Sequence, residues 1–187
     1  CMMVCPQKAI TEKEHAIGYI EKGISKDVMA QTGILNIGEA SGVPIIERLL
    51  SDKSALSVPI FIDCPPGSGC VVMESIKDAD YCVLVAEPTI FGLHNLKMVY
   101  QLATLFEKPI GVVLNKCLDG INPSETFCVT KNIDIIGRIP FDKQLGMLHS
   151  SAKIATRERA RFKTLFESIY NSIKEAVNNE TITHTQR

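Results

Sequence analysis

Asp63 closes the apolar, β-branched run of the stretch FIDCPPGSG, and two prolines and a glycine follow it. A carboxylate at the carboxyl tip of a buried strand faces the crevice in which open α/β sheets bind ligands. Asp63 is therefore placed to hold a hydrated Mg2+ or to orient a water. Pro65 and Pro66 restrict the backbone, and Gly67 lets an N–H group approach a phosphate closely. The same residues would also serve as a strand end followed by a tight Pro-Gly turn. Cys1 and Cys5 of CMMVCP carry a second candidate chemistry. Their spacing, with Pro6 next, is that of the closing half of a Cys-x2-Cys-x2-Cys-x3-Cys-Pro iron–sulfur run. The opening half of that run is expected upstream of Cys1. Cys64, Cys70, Cys82, Cys117 and Cys128 lack Cys-x2-Cys spacing and are expected to be small buried apolar residues. Cys64 and Cys70 stand apart because they flank the Pro-Pro-Gly loop. His15, His149 and His184 are scattered without metal-ligand spacing.

The elements that must position these residues read as a parallel sheet. VPIFID (58–63), YCVLVAE (81–87), KPIGVVLN (108–115) and NIDIIGRIP (132–140) are short runs with nearly continuous apolar positions. Strands buried on both faces read this way. Between them, GLHNLKMVYQLATLF has a helical period, and PSETFCVTK opens with the Pro-Ser of a helix start. Alternation of strand and helix predicts a doubly wound, mostly parallel α/β sheet. Glu87 is expected to act in a loop with Pro88 and Thr89 that caps the next helix. Earlier, IGYIEKGI and MAQTGILNIG read as hairpin or edge strands and VPIIERLLSDK as a helix. RERARFKTLFESIYNSIKEAV carries an apolar stripe from Phe162 to Val177, as a final helix packed on the sheet would. Its basic residues Arg157, Arg159, Arg161 and Lys163 are expected on a solvated face.

Composition narrows the function classes. With 187 residues, 45% hydrophobic residues and a net charge of −1, the chain has the apolar content of a folded domain. No Lys/Arg block offers a surface for a nucleic-acid backbone, so nucleic acid is not expected as a partner. No stretch reaches the roughly 18 unbroken apolar residues of a membrane span, and no signal-peptide pattern opens the chain. An odd number of cysteines, seven, set mostly in apolar runs suggests a reducing, cytoplasmic setting.

Taken in order, CMMVCP, IDCPPG, VAEPT, FGLHNL, GVVLNK and IIGRIPFD resemble the C-terminal portion of the MinD/ParA group of P-loop ATPases. The resemblance is nearest to the members that carry an inserted ferredoxin domain, and it covers about residues 1–150. It implies a P-loop NTPase sheet lacking its N-terminal phosphate-loop strand and preceded by the tail of a ferredoxin-like segment. Residues 1–23 would end the inserted segment, 24–177 would form the ATPase portion, and 178–187 would be a loose polar tail. Cys1 and Cys5 would each serve a different 4Fe-4S cluster, with the remaining ligands upstream. Asp63 would be catalytic and bind Mg2+ through water, while Pro66 and Gly67 would face the γ-phosphate. Asn115 would contact adenine, and the backbone at Ile139 and Pro140 would close the base pocket; from the residues alone, Asn115 is as readily a polar strand end. A guanine-reading Asn-Lys-x-Asp is out of register, since Leu118 holds the Asp position. No Gly-x4-Gly-Lys-Ser/Thr loop occurs in the sequence, so that loop too is expected upstream. The resemblance implies ATP and Mg2+, a nucleotide-dependent homodimer, and redox or iron–sulfur client proteins. A non-catalytic iron–sulfur carrier or scaffold with a decayed ATPase half is the alternative, marked by a degenerate phosphate loop beside a complete cysteine set.

Overall fold

A computed structural model describes residues 2–7, 9–51 and 58–185. The chain divides into two compact units, residues 1–63 and 64–187.

In the first unit a short 3-10 turn, Met2–Val4, precedes β1 (Gly18–Ser25) and β2 (Val28–Leu35). The two strands pair antiparallel without a break, from Gly18↔Leu35 to Ser25↔Val28. The chain reverses at Lys26, whose φ of 56° is left-handed. Helix α1 (Val43–Ser51) starts with Pro44 in its first turn, where a missing N–H costs nothing. It lies on the hairpin through Ile45. A Cβ on Gly33 would stand 2.3 Å from Ile45 Cγ2, so this glycine lets helix and strand close up. The expected boundary between residues 23 and 24 falls inside β1, and the compact unit runs on to Asp63.

The second unit contains α2 (Cys70–Ile76), β3 (Cys82–Ala86), α3 (Ile90–Leu105), β4 (Ile110–Cys117), α4 (Pro123–Lys131), β5 (Asp134–Pro140), α5 (Lys143–Ser150), α6 (Ala155–Glu158) and α7 (Ala160–Thr185). Strands β3, β4 and β5 form a parallel sheet in that order. Helix ends follow local chemistry. The Thr89 hydroxyl accepts from Gly92 N at the start of α3, and Asn122 Oδ1 accepts from Ser124 N and Glu125 N at the start of α4. Asn132 ends α4 in the left-handed conformation.

Because successive strand residues point to opposite faces, β4 builds two cores. Val112 and Leu114, both 0% exposed, pack with Leu84 and Ala86 of β3 under Val72 and Ile76 of α2, Leu96 of α3 and Cys128 of α4. Val113, between them, joins Ile139 of β5 and Ile169 of α7 on the other face. A Cβ on Gly137 would stand 2.7 Å from Ile169, so the glycine sets how closely α7 approaches. Helices thus cover the three-stranded sheet on both faces, and the nearly continuous apolar runs of its strands follow from that.

Two expectations need correction. Residues 58–63 are not a strand in the structure, and Val58, Ile60 and Phe61 are exposed rather than buried on both faces. A β-branched run becomes a strand only when a neighbour accepts its hydrogen bonds. The polar residues from 178 onward also do not end the helix, because α7 continues to Thr185. Among the described residues no helix is long and apolar enough to cross a membrane.

Candidate functional site

The carboxyl ends of β3, β4 and β5 lie along one edge of the parallel sheet, the edge at which open α/β sheets bind ligands. Asn115, Lys116 and Cys117 end β4. Glu87 follows β3 directly, and Pro140 ends β5.

The β4 tip is irregular. Its pairing with β5 shifts once between Val112↔Ile135 and Val113↔Gly137, runs on to Leu114↔Arg138 and resumes at Cys117↔Pro140, with a second shift between. Within that shift Lys116 has φ 54°, a conformation uncommon outside glycine. Lys116 N donates to Asn115 Oδ1 at 2.9 Å. Asn115 is half-buried, and its amide nitrogen makes no hydrogen bond among the described residues. Phe141 N donates to Cys117 O at 2.8 Å and keeps the β5 exit against β4.

Glu87 connects the neighbouring strand. Its carboxylate meets Lys116 Nζ at 2.6 Å, and its carbonyl accepts from the Ser124 hydroxyl at 3.0 Å. Ser124 is fully buried. A Cβ on Gly92 would come within 2.3 Å of the same carbonyl, so the first turn of α3 presses on Glu87 as well. Thr89 caps α3 as expected. The charge pairing of Glu87 with Lys116 lies beyond sequence reasoning, since it depends on how β3 and β4 align.

Asn115 and Pro140 end neighbouring strands, and the β4–β5 register sets Pro140 beside Cys117, two residues beyond Asn115. Ile139 is 8% exposed and turned into the core with Val113 and Ile169, which leaves its backbone and Pro140 for the edge. Pro66 and Gly67 lie in the bends leading to α2, exposed, with Gly67 at φ 101°. Asp63 is exposed and is the last residue of the first unit, whereas the other candidate nucleotide contacts belong to the second. Cys5 is half-buried in the first unit, and Cys1 lies outside the described residues. Among the described residues no group of three or more His, Cys, Asp or Glu comes together as a metal site. Arg161 pairs with Asp142 at 2.7 Å and stacks on Phe162, so the basic face of α7 is partly engaged rather than simply solvated.

Cys82 and Cys128 are buried, as expected of apolar cysteines; Cys64 and Cys117 are half-buried and Cys70 is exposed. Burial pushes the Cys82, Cys117 and Cys128 thiols above their usual range, with Cys64 adding to it for Cys82 and Glu125 for the other two. A thiol whose pKa is raised by folding binds its proton more tightly in the native state. Below the ordinary thiol pKa of about 8.5 both states are protonated, and stability falls as pH rises beyond it. The melting temperature is expected to drop between pH 8 and pH 10, and Cys128→Ala to flatten that slope. A slope identical in the variant would count against the buried-thiol account.

The fold is therefore that of an α/β protein with a three-stranded parallel sheet between helices. No family model matches the chain, and no solved structure matches it. Similar chains include the uncharacterized protein MJ0578 of Methanocaldococcus jannaschii, 24% identical over 161 residues, which covers 86% of this chain and 55% of that one. The uncharacterized protein MJ0579 of the same organism is 26% identical over 140 residues, covering 73% and 48%. The chain spans about half the length of the curated relatives it matches.

Proposed function

We propose that this chain is the C-terminal portion of a MinD/ParA-type P-loop ATPase, doubly wound in its complete form, that carries an inserted ferredoxin domain and acts in the cytoplasm. The observation that carries the reading is that Asn115 and Pro140 stand at the carboxyl ends of adjacent parallel strands, with the Asn115 amide nitrogen making no hydrogen bond among the described residues. Such an edge suits a flat heterocycle: an amide reads its hydrogen-bonding rim, and a proline lies against its face.

On this reading each residue has one task. Asn115 binds adenine, and the backbone at Ile139 and Pro140 bounds the pocket. Gly67, free to hold φ 101°, lets the loop after Pro66 approach the terminal phosphate. Asp63 would hold a hydrated Mg2+ and would orient the attacking water. The cation, when bound, offsets phosphate charge. ATP binding pairs two copies of the protein and passes the nucleotide state to redox or iron–sulfur clients. For the cluster half, no group of three or more His, Cys, Asp or Glu comes together among the described residues; these residues do not hold a cluster by themselves, and no step is assigned to one.

The test uses the protein expressed from its complete coding sequence. Wild type is expected to bind ATP, and Asn115→Ala to weaken binding about 10- to 100-fold by calorimetry, the worth of a bidentate amide–adenine pair. A complete protein that binds no ATP would overturn the proposal. The 187-residue chain alone has no phosphate loop or its lysine, the groups that dominate this chemistry. It is expected to hydrolyse ATP negligibly in a phosphate-release assay, and turnover like that of an intact P-loop ATPase would be decisive against this.

A further inference from the structure

A side-chain amide has two ends of nearly the same shape and opposite hydrogen-bonding sense. A site that reads a base with one must fix which end faces the ligand. At the β4 tip that choice is made by the next residue. Lys116 N donates to Asn115 Oδ1 at 2.9 Å, and a flipped amide would set two donors against each other. This contact between neighbours occurs where Lys116 is left-handed, φ 54°, within the β4–β5 register shift. A lysine adopts that conformation only at an energetic cost, and it persists where surroundings over-determine it. Here they do. Lys116 Nζ is tied to Glu87 at 2.6 Å, and the Glu87 carbonyl is held by buried Ser124 and pressed by Gly92.

We infer that Lys116 is a positioning residue that locks the Asn115 amide and thereby selects 6-aminopurine over 6-oxopurine nucleotides; this rests on the adenine-binding role proposed above. The locked amide offers a free N–H beside an oxygen with one remaining lone pair. That pair matches adenine, whose N7 accepts and whose 6-amino group donates. A 6-oxopurine would set oxygen against oxygen. The element that matters is the Lys116 backbone, while its side chain and Glu87 hold that backbone in place.

The experiment compares ATP and ITP affinity by calorimetry in the protein expressed from its complete coding sequence, for wild type, Lys116→Gly, Lys116→Val and Asn115→Ala. Glycine enters the left-handed region freely and keeps the N–H, whereas a β-branched residue resists it. Wild type is expected to prefer ATP by about 10-fold or more. Lys116→Gly should keep that ratio, and Lys116→Val and Asn115→Ala should bring it towards one. Thermal melts establish that each variant is folded, and Lys116→Ala replaces the valine variant if that one is not. ATP bound with a ratio that survives Lys116→Val, or is lost in Lys116→Gly, overturns this inference and leaves the proposed function standing. Binding of neither nucleotide overturns the proposed function and this inference with it.

Discussion

Replacing Asp63 by alanine in the protein expressed from its complete coding sequence is expected to lower kcat for ATP hydrolysis by about 100- to 1,000-fold. That is the usual loss when one preorganised group facing transition-state charge is removed. KM should change little, because adenine and the phosphate cradle carry most of the ground-state binding on the proposed reading. Asp63 is exposed and followed at once by Cys64 and two prolines, a stiff connection that limits where its carboxylate can swing. Asp63→Asn keeps the shape and removes the charge. If the carboxylate orients hydrated Mg2+, the asparagine variant should be nearly as slow as the alanine variant. Wild-type turnover in Asp63→Ala would end the catalytic assignment of this residue, whatever else the site binds.

The second large effect concerns stability. Leu114→Ala is expected to cost about 2–5 kcal/mol by urea unfolding followed by circular dichroism, the range for truncating a fully buried leucine. Leu114 is 0% exposed on the central strand β4 and packs in the core beneath α2, α3 and α4. The cavity would open in the middle of a layer whose neighbours are themselves held by strand pairing, so it could collapse little. Domain stabilities are typically about 5–15 kcal/mol, and the variant would lose a large fraction of that. Val129→Ala is the control: at 73% exposed on α4 it should stay within about 0.5 kcal/mol. A Leu114→Ala cost below about 1 kcal/mol would mean that this core is not packed as described.

Much of the second unit was legible in the residues. The apolar runs at 81–87, 108–115 and 132–140 became β3, β4 and β5, and PSETFCVTK became α4 from its proline to its lysine. Capping chemistry at Thr89, Asn122 and Asn132 is local and reads directly. The hairpin of the first unit was equally plain, since alternation and glycine punctuation are short-range signals. VPIFID misled because it has the composition of a strand, and composition alone does not pair a segment into a ladder. Helix α2 went unread, being seven residues long and set beside a Pro-Gly turn.

The same division runs through the candidate site. Which residues stand at strand tips is a property of the sequence, because hydrophobic period and turn chemistry act over a few positions: Asn115 and Pro140 follow from where their apolar runs stop. How those tips relate is not. The β4–β5 shift, the left-handed Lys116 it contains, the free end of the Asn115 amide and the reach of Glu87 across to Lys116 are set by strands aligned through hydrogen bonds between segments some 20 to 30 residues apart. Register is a collective property of paired backbones, so the residue types at the site come from the chain and their orientation from the sheet.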